Sequence, residues 1–303
     1  MKIAILFCIF CILLLGCSEK NTPDSSSLGK VNVVATTSIV ADLVKEIGDS
    51  VVEVEALMGA GVDPHLYKAS SGDLAKLRKA NVIFYSGLHL EGKMIDVFEK
   101  LAYSKPTIPV ADATLKGLRS ISESMYDPHI WFSIPLWKQA AKKVKDQLSS
   151  SSPTNAKYFE QRYSSYIQSL DSLDSWIRET IQTIPVQRRT LVTAHDAFAY
   201  FGAEYGVKIH SLQGISTIAE FGINDIITLV NVIDSANIPA VFIESSVPPK
   251  SIEAVINALK TRNKTIRLGG ILYSDALGER NSDAGTYIGM FRTNVKIIAE
   301  ALR

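Results

Sequence analysis

The chain has 303 residues, of which 47% are hydrophobic and 21% are charged, a composition typical of a globular protein. Its formal net charge is +1, and lysine and arginine do not cluster among aromatic residues, so we predict no nucleic-acid binding. The length predicts two lobes of ordinary domain size, each with its own core.

The N-terminus has the pattern of a secretory signal. A positive start precedes an apolar run at 3–15, whose 13 residues are too few to span a bilayer of roughly 30 Å. The run ends in Leu14-Leu15-Gly16-Cys17, which resembles a bacterial lipobox, where cleavage precedes a cysteine that receives lipid. We therefore predict a signal peptide over 1–16, acylation of Cys17, including palmitate, and a flexible tether over 17–30. The alternative is an ordinary cleaved signal with an incidental cysteine.

The cysteine content restricts the metal chemistry of the mature chain. Of three cysteines, Cys8 and Cys11 lie in the predicted signal and Cys17 is the predicted lipid carrier. No thiol is then left for a disulfide or a metal. A metal site outside the cytoplasm has to be built from histidines and carboxylates.

Strand and helix patterns alternate along the first half of the mature chain. The predicted strands are 31–36, 51–57, 81–85 and 107–110, and the predicted helices are 38–48, 73–79 and 92–101. Strands that alternate with helices predict a parallel sheet with helices on both faces.

A long helix is predicted in the middle of the chain, over 154–184. Apolar residues recur there at steps of three and four, and no glycine or proline interrupts them. Ser152 is the predicted N-cap, and Pro153 suits the first turn. At 1.5 Å per residue this helix would be about 46 Å long, enough to connect two lobes and limit their hinge motion. Two shorter helices with a break are the alternative.

The second half repeats the alternating pattern. Its predicted strands are 189–193, 207–211, 240–244 and 265–268, and its predicted helices are 197–205, 223–235 and 250–260, with a turn at Gly269-Gly270. We therefore predict an α/β fold with two lobes, each a parallel sheet flanked by helices. The predicted division is an N-terminal lobe over 31–151, a linker helix over 152–184 and a C-terminal lobe over 185–303.

Three of the five histidines are candidate metal ligands. Two occur in the same tripeptide, Asp63-Pro64-His65 and Asp127-Pro128-His129, and proline favours an extended residue before it, so both tripeptides are predicted loops. His195 directly follows a predicted strand, and Asp275 follows the last one. Ligands of open α/β sheets bind beyond the carboxyl ends of strands, where these side chains are expected. Taken singly, each histidine has an alternative as an ordinary surface residue.

These candidates belong to a set of motifs that together resemble the TroA-like solute-binding lipoproteins of zinc, manganese and iron ABC importers. The resemblance covers nearly all of the mature chain. Besides the lipobox and the two Asp-Pro-His tripeptides, the motifs are Ser86-Gly87-Leu88-His89-Leu90-Glu91, Ile130-Trp131, Thr193-Ala194-His195-Asp196-Ala197-Phe198, Leu212-Gln213-Gly214, Ile243-Glu244-Ser245-Ser246 and Tyr273-Ser274-Asp275-Ala276.

The resemblance implies that His65, His129, His195 and Asp275 bind one divalent transition metal, zinc, manganese or iron, in the cleft between lobes joined by a rigid helix. Three neutral imidazoles and one carboxylate suit such ions. Four protein ligands leave no open position for a substrate, which favours capture and release over catalysis. The resemblance further implies a monomer, attached by lipid to a membrane of the cell envelope, on the periplasmic or extracellular face. Its implied partners are an ABC permease and the ATPase of that permease.

Other polar residues near these motifs have less specific roles. Asp63, Asp127 and Asp196 are candidates for orienting imidazoles, although capping a turn or a helix is an equal alternative. Glu244 is a candidate for the same supporting role and not for a ligand. His89 is interpreted as a loop or capping residue. His210 falls in a predicted strand and is interpreted as a core histidine.

Two comparisons with the family bear on the metal. Many zinc-dedicated relatives carry a long histidine-rich loop between the first two ligands, where this chain has only His89, and manganese-dedicated relatives often have glutamate at the position of His195. Zinc should bind tightly in vitro whatever the physiological metal.

The alternative functions are a metal-dependent enzyme, such as a dismutase or hydrolase, and a surface adhesin. We predict no enzyme activity, because neither the α/β pattern nor the lipobox resembles those enzymes, and no motif supports an adhesin.

Overall fold

The computed structural model of the chain describes residues 30–303. The predicted signal peptide, the acylation of Cys17 and most of the predicted tether lie outside the described residues. Across 30–303, no helix combines the length and the apolar character that crossing a membrane requires.

The N-terminal lobe is built on a four-stranded parallel sheet with the strand order β2-β1-β3-β4. Its strands are β1 (Val31–Ala35), β2 (Val52–Ala56), β3 (Val82–Gly87) and β4 (Thr107–Ala111), and its helices are α1 (Ser38–Gly48), α2 (Ser71–Lys79) and α3 (Ile95–Ala102). An antiparallel hairpin, β5 (Ser120–Ser122) and β6 (Met125–Tyr126), leads to α4 (Ile134–Ser151).

Local chemistry explains where these helices begin. The Thr37 hydroxyl accepts a hydrogen bond from the N–H of Val40 at the start of α1. A reciprocal capping box between Ser70 and Asp73 starts α2. Helix α1 begins and ends at the residues that the sequence predicted.

The long helix α5 (Ala156–Gln182) is continuous, and its 27 residues give a length of about 40 Å. It packs against α1, α4 and α9 (Tyr287–Leu302). The predicted capping role of Ser152 is wrong, because Ser152 is the C-cap residue of α4, and a 3-10 turn, Pro153–Asn155, separates the two helices. The side chain of Ser152 instead accepts a hydrogen bond from that of Asn155.

The C-terminal lobe contains two parallel strand pairs, β8-β7 and β9-β10, with β7 beside β9. The strands are β7 (Thr190–Thr193), β8 (Lys208–Ser211), β9 (Ala240–Glu244) and β10 (Arg267–Leu272), and the helices besides α9 are α6 (Ala199–Tyr205), α7 (Ile223–Ser235) and α8 (Lys250–Thr261). The fold is therefore α/β, with helices around parallel sheets, as predicted. We keep the lobe boundaries at 151 and 185 as a proposed division.

The predicted turn at Gly269-Gly270 is wrong. Both glycines lie inside β10, where the pairing with β9 shifts its register between Leu268 and Gly270. A Cβ on Gly269 would lie 2.4 Å from the Phe242 ring, and Gly270 has a φ of +144°. Glycine is thus required for a bulged strand that approaches a neighbouring side chain closely.

One hydrophobic core runs through both lobes along α5. The buried residues of this helix are Phe159, Tyr166, Leu170, Leu173, Ile177 and Ile181. Within the same core, Trp137 of α4 stacks on Tyr287 of α9 with ring centroids 5.0 Å apart. Because protein cores are close-packed, a shared core of this kind resists rotation of one lobe against the other.

Candidate metal centre

His65 lies in the loop of residues 57–70 that follows β2, and it is 2% exposed. Asp63 shapes this loop, because its Oδ1 accepts a hydrogen bond from the N–H of His65 at 2.8 Å. This Asx-type turn uses the aspartate to orient the backbone two residues ahead. The second oxygen of Asp63 accepts a hydrogen bond from the Thr217 hydroxyl at 2.6 Å.

His129 follows the β5–β6 hairpin and directly precedes a 3-10 turn that leads to α4. Its N–H donates to Oδ1 of Asp127 at 3.0 Å, and its Nδ1 lies 2.7 Å from the same oxygen. The other oxygen of Asp127 is 3.2 Å from the guanidinium of Arg119. This second Asp-Pro-His therefore differs from the first, since its aspartate contacts the imidazole ring as well as the backbone.

His195 lies at the carboxyl end of β7, and Glu244 at the end of β9 supports it. Oε1 of Glu244 accepts hydrogen bonds from the N–H groups of Ala194 and His195, both at 2.8 Å. Oε2 lies 2.6 Å from Nδ1 of His195. Because Nδ1 lies beside a carboxylate oxygen, a neutral His195 ring is expected to carry its proton on Nδ1 and its lone pair on Nε2, which faces away from Glu244.

Asp275 follows β10 and faces the three histidines with both carboxylate oxygens. Its Oδ2 lies 3.2 Å from Nε2 of His195 and 3.9 Å from Nε2 of His65, and its Oδ1 lies 3.5 Å from Nε2 of His129. Across the cleft, the Trp131 ring N–H donates to the Ser274 carbonyl at 2.9 Å. This bond fixes the backbone beside Asp275 against the N-terminal lobe.

The four side chains have the geometry of a metal-binding set. One donor atom from each lies within 4.8 Å of all the others, and every residue of the set is buried. Within the described part of the chain, the three Nε2 atoms and both Asp275 oxygens have no hydrogen bond of regular geometry. A tetrahedral zinc with bonds of roughly 2.0–2.1 Å separates its donors by roughly 3.4 Å. The Nε2 atoms of His129 and His195 lie 3.5 and 3.2 Å from Asp275, each from a different carboxylate oxygen. The donor chemistry suits a divalent transition metal.

The pKa values of these buried side chains depend on burial and on the charges of the neighbouring histidines and carboxylates. Burial lowers the pKa of His65 to about 3, so its ring is neutral at physiological pH. Burial also opposes a charge on His195, but Glu244 and Asp275 outweigh it and hold the pKa of His195 well above its usual value. Burial would raise the pKa of Asp275, yet His195 first and then His129 and His65 hold it well below its usual value. A proton on His195 therefore compensates the buried carboxylates when no metal is bound.

The four acids predicted to support the histidines fall into two groups, those that contact an imidazole ring and those that do not. Asp127 and Glu244 contact imidazole nitrogens, whereas Asp63 bonds the backbone of His65 and Asp196 lies 3.6 Å from the Arg119 guanidinium. Among the residues that the structure describes, neither Asp63 nor Asp196 forms an ion pair with a histidine.

The two remaining histidines lie outside the set of four. His89 lies in the turn after β3 with a φ of +65°, in agreement with its interpretation as a loop residue. His210 lies in β8 as predicted but is only half-buried, so its interpretation as a core histidine is wrong.

Three residues near the centre have no distinctive sequence signal. Arg119 connects Asp127 with Asp196, and Tyr200 accepts from the Arg119 N–H at 2.9 Å and donates to the Asp127 carbonyl at 3.1 Å. Thr217 reaches Asp63 from the other lobe, 154 positions away in sequence. Because each acts through a contact between distant segments, no local motif identifies them.

Comparison with known proteins gives a coherent set of relatives. The family described as ZnuA, zinc-uptake complex component A, periplasmic, matches residues 33–301. The manganese-binding lipoprotein MntA of Bacillus subtilis is 47% identical over 302 residues, covering 99% of this chain and 98% of MntA. The manganese ABC transporter substrate-binding lipoprotein PsaA of Streptococcus mitis is 30% identical and covers 99% of both chains.

A zinc-binding relative is known in sequence and in structure. The zinc-binding protein TroA of Treponema pallidum is 42% identical over 298 residues, which is 96% of this chain and 97% of TroA. A solved structure of TroA superposes with a TM-score of 0.88 at 43% identity, covering 90% of this chain and 99% of that one.

Proposed function

Because this chain belongs to the ZnuA family of metal-uptake components, we propose that it captures a divalent transition metal outside the cytoplasm and delivers it to an ABC-type permease. The observation that carries the proposal is the convergence of three buried imidazoles and one buried carboxylate within 4.8 Å. The N-terminal lobe supplies His65 and His129, and the C-terminal lobe supplies His195 and Asp275. A metal held by all four would connect the two lobes.

We assign the roles in the site as follows. His65, His129, His195 and Asp275 are the proposed ligands, through three Nε2 atoms and the carboxylate. Asp127 and Glu244 hold the rings of His129 and His195, and Asp63 and Asp196 act on the surrounding loops. Supporting carboxylates of this kind raise the basicity of the imidazoles and fix their orientation.

Manganese and zinc are the two cargoes that we propose. One relative is named for manganese at 47% identity and another for zinc at 42%, so identity alone does not separate the two metals. Zinc is the tighter-binding ion for a given nitrogen and oxygen site, whereas two oxygens facing the centre also suit manganese. Iron remains a prediction from the sequence.

The names of the relatives also support a proposed location and proposed partners for this chain. Two of them are named lipoproteins, and the family is described as periplasmic. We propose a protein anchored by lipid on Cys17 to the outer face of a membrane, acting as a monomer with a permease and its ATPase. The chain is not an enzyme, since the family and these relatives are binding components of importers.

Cells that lack this protein should accumulate less manganese or zinc when the external metal is scarce. The measurement is elemental mass spectrometry of the source organism after deletion of the gene. Wild-type protein should restore the metal content, and Asp275→Asn should not, whereas Asp196→Asn, which alters an acid outside the proposed ligands, should restore it. Normal metal content in the deletion strain at limiting metal would contradict the proposed function.

Metal affinity should fall as the pH falls. A group whose pKa is raised in the metal-free protein holds its proton below that pKa, and the metal has to displace it. Because the carboxylates raise the pKa of His195, the metal has to displace a proton from this ring, and we expect the affinity to fall as the pH is lowered from 7.5 to 5. Competition titrations with a chelator of known pH dependence measure it. A flat profile from pH 7.5 to 5 would contradict a three-histidine site.

A further inference from the structure

Among the residues that the structure describes, one side-chain hydrogen bond near the metal centre joins two irregular loops, one from each lobe. The first is the ligand loop, residues 57–70, which carries Asp63 and His65. The second is the strap loop, residues 212–222, which contains no helix or strand and carries Thr217. The Thr217 hydroxyl donates to Oδ2 of Asp63 at 2.6 Å, and Thr217 is 9% exposed.

Both loops joined by this hydrogen bond also contact the backbone at or beside a proposed metal ligand. On the ligand loop, the same carboxylate that receives Thr217 also accepts the N–H of His65 at 2.8 Å. On the strap loop, the N–H of Gln213 donates to the carbonyl of Ala194 at 2.8 Å, and the N–H of Asp196 donates to the carbonyl of Gly214 at 3.2 Å. The strap loop is therefore hydrogen-bonded to the residues directly before and after His195. Through the Asp63–Thr217 hydrogen bond, a continuous series of contacts connects the backbone beside His195 with the backbone of His65.

His65 is the ligand on which such a contact has the most influence. It is the histidine farthest from Asp275, at 3.9 Å compared with 3.2 and 3.5 Å for the other two. Within the described residues, its ring has no supporting carboxylate like those beside Nδ1 of His129 and His195, and the next residue, Leu66, is 45% exposed. The ligand loop thus carries a buried ligand beside a solvent-exposed residue, and the Asp63 side chain connects this loop to the strap loop.

From these contacts we propose that the Asp63–Thr217 hydrogen bond is a latch that holds the His65 loop closed and sets the rate at which the metal leaves. The proposal rests on the proposed function, because it requires a metal at the four ligands. Thr217 acts through Asp63 and the backbone of His65, so it is a positioning residue. Breaking the latch frees the ligand loop, whereas the donor atoms themselves are unchanged.

The test is metal dissociation from the full chain in detergent, loaded with zinc or manganese and mixed with excess chelator in a stopped-flow instrument. We expect Thr217→Val, which removes the hydroxyl and keeps the shape, to raise the dissociation rate constant about tenfold, the effect of losing one hydrogen bond to a charged group. Thr217→Ala should match it. Thr217→Ser keeps a donor and should restore the wild-type rate. Thr261→Val, in α8, is the matched control and should dissociate as wild type.

The outcomes separate the latch from the proposed function. A wild-type chain that binds neither metal would overturn the proposed function and the latch with it. A wild-type chain that binds one equivalent, with a Thr217→Val variant that dissociates at the wild-type rate, would overturn the latch alone. If Thr217→Ser dissociates as fast as Thr217→Val, the threonine acts by packing, and the hydrogen-bond latch is wrong.

Discussion

Replacing His195 with alanine is expected to abolish tight metal binding and to destabilise the metal-free protein at the same time. The protonated ring lies between Glu244 and Asp275, with its nitrogens 2.6 and 3.2 Å from their oxygens, and all three side chains are buried. Removing it leaves two carboxylates without a counter-charge. Breaking a buried ion pair by deleting one partner costs about 3–5 kcal/mol of the free energy of unfolding.

Denaturant unfolding at pH 6 in a metal chelator measures the stability change. The contribution of a histidine with a raised pKa is fully present below its unfolded value near 6.5 and is lost as the pH rises through the raised pKa. His65→Ala is the matched control, because burial lowers the pKa of His65 to about 3, and a neutral ring leaves no unpaired charge. Both variants should lose metal affinity, but only His195→Ala should show the large loss in stability. Equal stability of His195→Ala and wild type at pH 6 would contradict the ion-pair interpretation.

Asp275→Asn should lower metal affinity about a thousandfold, the expected cost when a buried charge loses its partner. Asp275 is the one anion among the four proposed ligands, and it is 1% exposed. With the carboxylate, a divalent ion leaves a site charge of about +1, and without it the full double charge must be buried. An amide also turns an N–H toward the ion in place of one oxygen.

Competition titrations with zinc and with manganese measure this loss of affinity. Asp196→Asn is the matched control, because Asp196 lies near the centre but faces Arg119. Its affinity should stay within about threefold of wild type. Comparable losses in the two variants would mean that general negative potential, and not ligation by Asp275, holds the metal.

The sequence predicts the regular elements well where the pattern is local. Helices α1 and α7 and strand β9 have the predicted bounds, because each has a clear periodicity and a clear stop. The predicted elements include neither α4 nor α9, which pack on α5 and, respectively, on α1 and on β10. The local sequence of Gly269 and Gly270 indicates a turn, because the side chains that require glycine there, Phe242 beside Gly269 and Ile297 beside Gly270, lie on other elements.

The proposed ligands follow from sequence motifs, but their supporting contacts do not. Asp63 and Asp127 occur in identical tripeptides, yet only Asp127 reaches an imidazole ring. Glu244 reaches His195 because β7 lies beside β9, which places residues 49 positions apart in contact. Sequence periodicity describes faces of helices and strands, whereas such contacts depend on how distant segments pack.

The most direct test of the central claim is the position of the bound metal. Crystals of the protein grown with zinc, and separately with manganese, would be measured by anomalous diffraction at the absorption edge of each metal. We predict a single strong peak within about 2.0–2.3 Å of Nε2 of His65, His129 and His195 and of the Asp275 carboxylate. A peak elsewhere on the chain, or no peak at these four side chains with either metal, would contradict the assignment of this cluster as the cargo site.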